Sequence, residues 1–272
     1  LDRAEGELTE MGRISRKELE IKRIYGLGAA CRQLALHYQH RSQARRSERR
    51  VKEAQSDDAK ARDYATKGLE RFEKILSGDD ELSRSLHLEA HAGAANCQIV
   101  LGDADHTESF REAVKHIGEF ARLSATARKF WEQRRERLMT ADPLPETDAD
   151  PGKRVLTEPE RRRYDEQLRR LLSRETAMRR ILVETYVYLN LFRQAIEECD
   201  TIEKLDPSVD EILLIRGRAF AMLEPPDYQA ALANLHRYRS RQDLGSLTEK
   251  MIRLNRLIKT YEERLKAQGK EG

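Results

Sequence analysis

The chain has 272 residues, of which 39% are hydrophobic, 36% are charged and only 6% are aromatic, and its formal net charge is +3. Abundant Ala, Leu, Glu, Arg and Lys at helical periodicity, with only 14 Gly and 7 Pro, exclude a strand-rich fold and predict an all-α protein with large solvated faces. No apolar run approaches the roughly 20 residues of a membrane-spanning helix, so no span is expected.

The first predicted element is an elongated helical hairpin. The run from Ala29 to Lys67 contains neither Pro nor Gly, so its two helices should continue unbroken. It exceeds an ordinary helix pair by about fourteen residues per helix, which at ~1.5 Å per residue predicts a charged arm projecting roughly 20 Å. Because little apolar surface stabilises such an arm, we expect it to contact a partner subunit, through Arg45, Arg46, Arg49 and Arg50.

A pair of histidines follows, with His87 and His91 at the i and i+4 spacing that metal sites use. Glu89 lies two residues after His87, which aims it at the opposite helix face, unlike the Glu of an H-E-x-x-H metal site. Since no third ligand stands out, a structural or exposed pair is favoured over a metal-dependent enzyme, and no metal or cofactor is expected. No phosphate loop, nucleophile elbow or CxxC motif anchors catalysis either, so the chain is predicted not to be an enzyme.

Three basic runs, at positions 40–52, 128–137 and 161–170, could contact phosphates and keep a nucleic-acid-associated helical protein as the alternative function. Acidic residues return close to each run, and the net charge is only +3. Solvated or partner-facing helices are therefore the preferred interpretation.

A linker is predicted at 140–156, because prolines cluster there in an otherwise small and acidic stretch. It would separate a degenerate helical half, 1–139, from a second half, 157–272. The second half should begin with a helix at Thr157, where Glu160 can complete a capping box and Pro159 suits the first turn.

One helix-pair pattern then occurs twice between Thr176 and Arg241, with 34 residues from one copy to the next. Its first copy contains Arg179, Leu182, Val183, Tyr186, Ala195, Cys199, Ile202 and Pro207. Its second copy contains Leu213, Arg216, Gly217, Phe220, Ala231, Leu235 and Tyr238. Arg216 departs from the Leu expected there, and the additional Pro225-Pro226 predicts a longer turn. Six members are expected to be buried at helix crossings: Leu182, Tyr186, Ala195, Gly217, Phe220 and Ala231.

This pattern resembles tetratricopeptide repeats, 34-residue helix–turn–helix units with W-x2-L-G-x2-Y on the first helix and A-x3-F, then Pro, on the second. Weaker copies lie upstream, at Ile24, Leu27, Gly28, Cys31, Gly68, Phe72 and Ile75, and at Ala92, Gly93, Asn96, Ala113, Ile117 and Phe120. The resemblance implies a right-handed superhelical solenoid of antiparallel helix pairs. It also implies a binding side built from first helices, where the outward residues are Arg180, Glu184, Asn190 and Arg218.

A last helix is predicted from an apolar stripe at steps of three and four, formed by Leu247, Met251, Leu254, Ile258, Tyr261 and Leu265. Its opposite face is charged. Such a helix is expected to cap the last repeat, with a docking helix for a partner as the alternative.

The cysteines are odd in number, far apart and in apolar slots, so Cys31, Cys97 and Cys199 are predicted to be free thiols. The sequence starts at Leu1 and not at Met, so a signal peptide or a lipid anchor could have preceded it. Together with the Arg- and Ala-rich composition, this start slightly favours a bacterial cell envelope lipoprotein in a larger assembly over a cytoplasmic protein. The overall expectation is a non-catalytic scaffold or assembly subunit that binds a protein segment or a neighbouring subunit on its helical-repeat surface.

Overall fold

The computed structural model describes residues 15–103, 106–140, 157–242 and 249–268, apart from the side chains of 137–140. Within these ranges the chain is all-α, as predicted, and contains no strand. The described helices are α1 (Arg16–Ser47), α2 (Val51–Leu76), α3 (Glu81–Leu101), α4 (Thr107–Thr140), α5 (Glu158–Tyr188), α6 (Phe192–Leu205), α7 (Glu211–Ala221), α8 (Tyr228–Arg241) and α9 (Glu249–Gln268).

The chain divides into two compact units, Leu1–Ser124 and Ala125–Gly272, and the boundary between them falls inside α4. The predicted linker at 140–156 lies outside the described residues except for Thr140, which ends α4. That linker, and the two halves it would separate, therefore stay predictions.

The long hairpin of the first unit consists of α1 and α2, which contain 32 and 26 residues. The helices are antiparallel: Gly28 lies against Phe72 near one end, and the rings of Tyr38 and Tyr64 stack 5.7 Å apart further along. Arg62 of α2 pairs with Asp103, just after the end of α3. The part of α2 before Arg62 extends past this point by about 16 Å at ~1.5 Å per residue.

The base of the hairpin is packed around Phe72, whose side chain is only 1% exposed. A Cβ atom added to Gly93 of α3 would lie 2.3 Å from the Phe72 ring, and one added to Gly28 of α1 would lie 3.2 Å from it. Both glycines are needed because the ring fills the space that their side chains would occupy. Leu27, which the weaker upstream repeat pattern included, is 46% exposed and lies outside this core.

The second unit contains the helix pairs α5–α6 and α7–α8, followed by α9. Helix α5 begins as predicted, because the backbone N–H of Thr157 donates to the Glu160 carboxylate over 2.8 Å. Helices α7 and α8 approach closely at Gly217, where an added Cβ would lie 3.0 Å from Leu235 and 3.1 Å from the carbonyl oxygen of Ala231.

The six residues predicted to be buried at helix crossings divide into two groups. Leu182, Ala195, Gly217 and Ala231 are buried, whereas Tyr186 and Phe220 are only partly buried. The aromatic rings thus lie at the edge of the core.

The last helix, α9, packs against α8 through the buried residues Leu254, Ile258 and Tyr261. Leu265, near its end, is 37% exposed, and Leu247 lies outside the described residues. Most of the predicted apolar stripe therefore covers the core of the second pair.

Candidate partner-binding surfaces

A cleft of about 500 Å³ is lined by one face of α5 and by the loop that precedes α7. Arg180 and Glu184 contribute charged side chains from α5, and Arg180 Nε lies 3.4 Å from Glu184 Oε1. Asp206 and Val209 line the loop side. The structure therefore brings two of the predicted binding residues together on one accessible face of a first helix.

A second cleft, of about 320 Å³, is lined by the equivalent face of α7. Leu214 and Arg218 line it, 34 residues after Arg180 and Glu184. Lys250 of α9 closes the far side, with its ammonium 5.5 Å from the centre of the α8 ring of Tyr238. Equivalent positions of the two sequence copies thus line both clefts, although the loop before α7 forms the other wall of the first cleft and α9 that of the second.

Asn190, the remaining residue predicted for this face, lies elsewhere. It forms the turn between α5 and α6 with a φ of 58°, a left-handed conformation that Asn tolerates better than most residues. It lines a depression of about 570 Å³ together with apolar residues that include Leu191 and Met222, which are 37% and 56% exposed. An Asn directly after a helical stripe is a turn signal that could have placed this residue from sequence.

Behind the clefts, the second copy has a buried arginine where the repeat pattern has Leu. The Arg216 side chain is 8% exposed and donates to Asn234 of α8 over 2.7 Å. It also forms ion pairs with Asp200 and Glu203 of α6, the latter over 2.8 Å. One side chain thus ties three helices together, which explains why a charged residue is tolerated in this slot.

Arg179, at the position of the repeat's Trp, is a second arginine with a structural role. Its side chain is 15% exposed, and it donates to Glu198 of α6 over 2.6 Å and to Glu175 over 3.0 Å. Glu175 is 1% exposed and also faces Arg128 of α4. Both arginines that depart from the repeat pattern, Arg179 and Arg216, therefore form ion pairs with another helix.

The arginines of the arm were predicted to contact a partner subunit, but most of them form ion pairs within the arm itself. Asp57 of α2 has a side chain that is 0% exposed and accepts from Arg41 over 2.8 Å and from Arg45 over 2.9 Å. Arg46 pairs with Asp58. The hydrogen bond from the Arg41 guanidinium holds the pKa of Asp57 below its ordinary value.

The tip of the arm contains the two other arginines predicted to bind a partner. Arg50 donates to the Glu53 carboxylate over 2.9 Å, and Arg49 occupies the turn with a φ of 62°. Both are exposed. The arm can therefore offer a partner an exposed tip, but its flanks are largely neutralised.

The other two basic runs also contain arginines that pair with acidic residues. Arg135 of α4 lies 3.0 Å from Asp165 of α5, and Arg170 lies 2.8 Å from Glu166 within α5. A nucleic-acid phosphate would have to displace these carboxylates. The nucleic-acid alternative consequently gains no support from the arrangement of the basic side chains.

The predicted histidine pair, His87 and His91, lies next to a third histidine, His116. His91 of α3 and His116 of α4 have their Nδ1 atoms 3.0 Å apart, and the His87 ring lies 6.4 Å from the His91 ring. Burial, reinforced by His116, lowers the pKa of His91 to about 4, and burial also lowers the pKa of His116. The sequence gives no signal that places His116 beside His91, because the two residues are 25 positions apart and on different helices.

No protein-family model matches the chain, and no curated protein matches it in sequence. None of the described helices combines the length and the apolarity needed to cross a membrane. Across the ranges that the structure describes, no three or more His, Cys, Asp or Glu side chains are gathered so as to hold a metal ion.

Proposed function

We propose that the chain is a non-catalytic scaffold or assembly subunit whose second unit carries tetratricopeptide-like repeats. In this proposal the helix pairs stack as a right-handed superhelical solenoid, and the accessible faces of α5 and α7 bind a protein segment or a neighbouring subunit. The single observation that supports it most is the correspondence of the two clefts: positions 180 and 184 line one, and positions 214 and 218 line the other.

The charges of these clefts indicate the type of segment that would fit. The first cleft offers both Arg180 and Glu184, whereas the second offers Arg218 and Lys250 beside the apolar Leu214 and Leu254. The second cleft is also lined by Glu249 and Arg253, which pair with each other, so its remaining charge is positive. A cationic cleft with an apolar floor suits a segment that alternates acidic and apolar side chains. We propose such a segment as the ligand of the second cleft.

Site-specific photo-crosslinking tests this proposal. A photoreactive residue at position 184 or 218 should crosslink the same partner in the source cells, because both positions face the proposed binding side. Glu197 is the matched control, since it is exposed on the second helix α6 and lines none of the clefts described here. Equal crosslinking at 197, or none at 184 and 218, would contradict the proposal.

Salt dependence separates a protein partner from a nucleic acid. Phosphate contacts lose affinity steeply between about 50 and 200 mM salt, because each contact releases counterions. We expect the isolated partner to bind with a shallow salt dependence. A steep loss, together with binding to any single-stranded or duplex oligonucleotide, would instead favour the nucleic-acid alternative.

The arm is proposed as a second contact, made through its tip. Deleting Arg41 to Ala61 and joining the shortened helices by a short turn should leave the base packed around Phe72, since that core lies outside the deletion. We expect the shortened protein to fold but to lose a neighbouring subunit of its assembly. Charge reversal of Arg49 alone should weaken the same contact without affecting folding.

Circular dichroism is the control for the arm deletion, because an intact helical signal separates a lost contact from a lost fold. If the shortened protein folded and still joined its assembly with unchanged affinity, the arm would be only a solvated extension.

A further inference from the structure

We propose that His91 and His116 form a binding site between α3 and α4 for one divalent transition-metal ion, such as Zn²⁺. His87 would be an additional ligand. Imidazole nitrogen is a preferred ligand of Zn²⁺, Ni²⁺ and Cu²⁺. The proposal is independent of the partner-binding clefts, because all three histidines belong to the first unit.

The distance between the two rings carries the argument. The Nδ1 atoms of His91 and His116 are 3.0 Å apart. Two imidazole nitrogens that ligate one tetrahedral zinc at about 2.0–2.1 Å lie roughly 3.3 Å from each other. The nitrogens are therefore within a few tenths of an ångström of the separation that one ion requires, and both rings would turn to aim their lone pairs at it.

The helix crossing holds both rings in place. Ala90 and Ala94 of α3 flank His91 in the sequence, and Ala113 and Ile117 of α4 lie around His116; all four are buried. Because these neighbours are buried, we expect the backbones of both histidines to be held firmly in their helices. A site built on two packed helices is more precise than one built on loops.

His87 provides the third ring. It lies one turn before His91 on α3, and its Nε2 atom is buried without a hydrogen-bond partner among the described residues. An orphaned buried nitrogen is costly, so a bound ion would remove a penalty as well as gain a ligand. As the side chains are placed, no three ligands converge, so His87 must rotate to join the other two, and water would complete the shell.

Charged side chains of both signs lie near the two rings. Glu119, three residues after His116, interacts electrostatically with His91, and its carboxylate accepts a hydrogen bond from Arg122 over 2.9 Å. His116 interacts electrostatically with Glu112 and Lys115 of the same helix. In the 3.0 Å contact one of the two Nδ1 atoms carries the shared proton, so that ring would have to carry its proton on Nε2 instead when both Nδ1 atoms ligate an ion.

The test uses the full chain, freed of metal by chelation and titrated with Co²⁺, whose visible d–d absorption reports on its ligands. We expect saturable binding of one ion per chain and a Zn²⁺-dependent rise in Tm. His91→Gln and His116→Gln should each weaken Co²⁺ binding at least tenfold, and His87→Gln by a smaller factor. His37→Gln is the matched control, because His37 is exposed on α1 of the same unit and should leave binding unchanged.

Imidazole ¹⁵N spectra of the wild-type protein keep the proposal testable if a variant fails to fold. Addition of Zn²⁺ should shift the Nδ1 signals of two histidines together. Absence of both a d–d band and a Zn²⁺-induced shift would overturn the proposal, and the 3.0 Å contact would then be a hydrogen bond between two neutral rings. Binding that persists in both His91→Gln and His116→Gln would overturn it equally.

Discussion

The arm of the first unit and the junction of α6, α7 and α8 in the second unit each enclose a charged side chain, but of opposite sign. In the arm, Asp57 is buried and receives Arg41 and Arg45 from α1. In the second unit, Arg216 is buried and reaches the acids of α6. The difference follows from the space available between the helices.

The interior of the arm lies between only two helices and is lined by small residues, such as Ala54 and Ala61, which are 0% and 3% exposed. A short carboxylate fits there, and long arginines can reach it from the rim while keeping contact with water. The slot of Arg216 lies among three helices, where a long, forked side chain can satisfy several acceptors at once. We expect both pairs to set helix register more than to add net stability.

Among changes that compare the two units, substitution of their closely packed glycines should have the largest effect on stability. Gly93→Leu in the first unit should lower the free energy of unfolding by about 3 kcal/mol, because its Cβ would overlap the enclosed Phe72 ring. Gly217→Leu in the second unit should cost about 1 to 3 kcal/mol, because Leu235 can shift by a few tenths of an ångström. Denaturant unfolding of both variants measures the difference.

Gly118→Leu is the control for these two variants, since no atom lies within 4 Å of its added Cβ. That change should stabilise the helix slightly, by up to about 1 kcal/mol. An equal loss in all three variants would mean that backbone approach does not explain the role of the glycines.

Replacing the buried base should cost less than Gly93→Leu. Arg216→Leu restores the aliphatic residue of the repeat pattern but leaves Asn234 Oδ1 without its arginine donor and Glu203 with Arg237 as its remaining cation. We therefore expect a loss of about 1 to 3 kcal/mol in the free energy of unfolding. Arg218→Leu, on the exposed face of the same helix, should change stability by no more than about 0.5 kcal/mol. A stabilising Arg216→Leu would show that this slot prefers apolar packing.

The buried acid of the arm predicts a pH dependence. Its pKa is lowered in the folded protein by the bond from Arg41, so the unfolded chain binds a proton more readily than the folded one. The stabilisation is fully present above the ordinary carboxyl pKa of about 4 and is lost as the pH falls below it. Thermal melts from pH 6 down to pH 3 should therefore show a shallower decline for Asp57→Asn than for the wild type. Parallel curves would contradict this assignment.

Thiol reactivity gives the smallest effect. All three cysteines are free, and burial raises the pKa of Cys97 and of Cys199 to about 12. Cys31 is only partly buried. Iodoacetamide should therefore label Cys31 first in the native protein, and all three in denaturant without reductant. Equal native labelling of Cys97 would mean that the first unit opens far more readily than its packing implies.

Much of the local structure follows from the sequence because helix formation depends on neighbours along the chain. The unbroken run from Ala29 to Lys67 predicted the long hairpin, and Thr157 with Glu160 predicted the start of α5. The close approach at Gly217 also followed from its position in the pattern. Helical periodicity and capping are properties of short segments, and a single sequence displays them directly.

Contacts between helices required the tertiary structure. The sequence pattern did not reveal that His116 lies against His91, that Arg216 bonds to three partners, or that Leu27 faces solvent. It also assigned Asn190 to a helix face, although a turn places it elsewhere. Periodicity tells which face of a helix is apolar, but the partner of each side chain depends on which helices pack together and in what register.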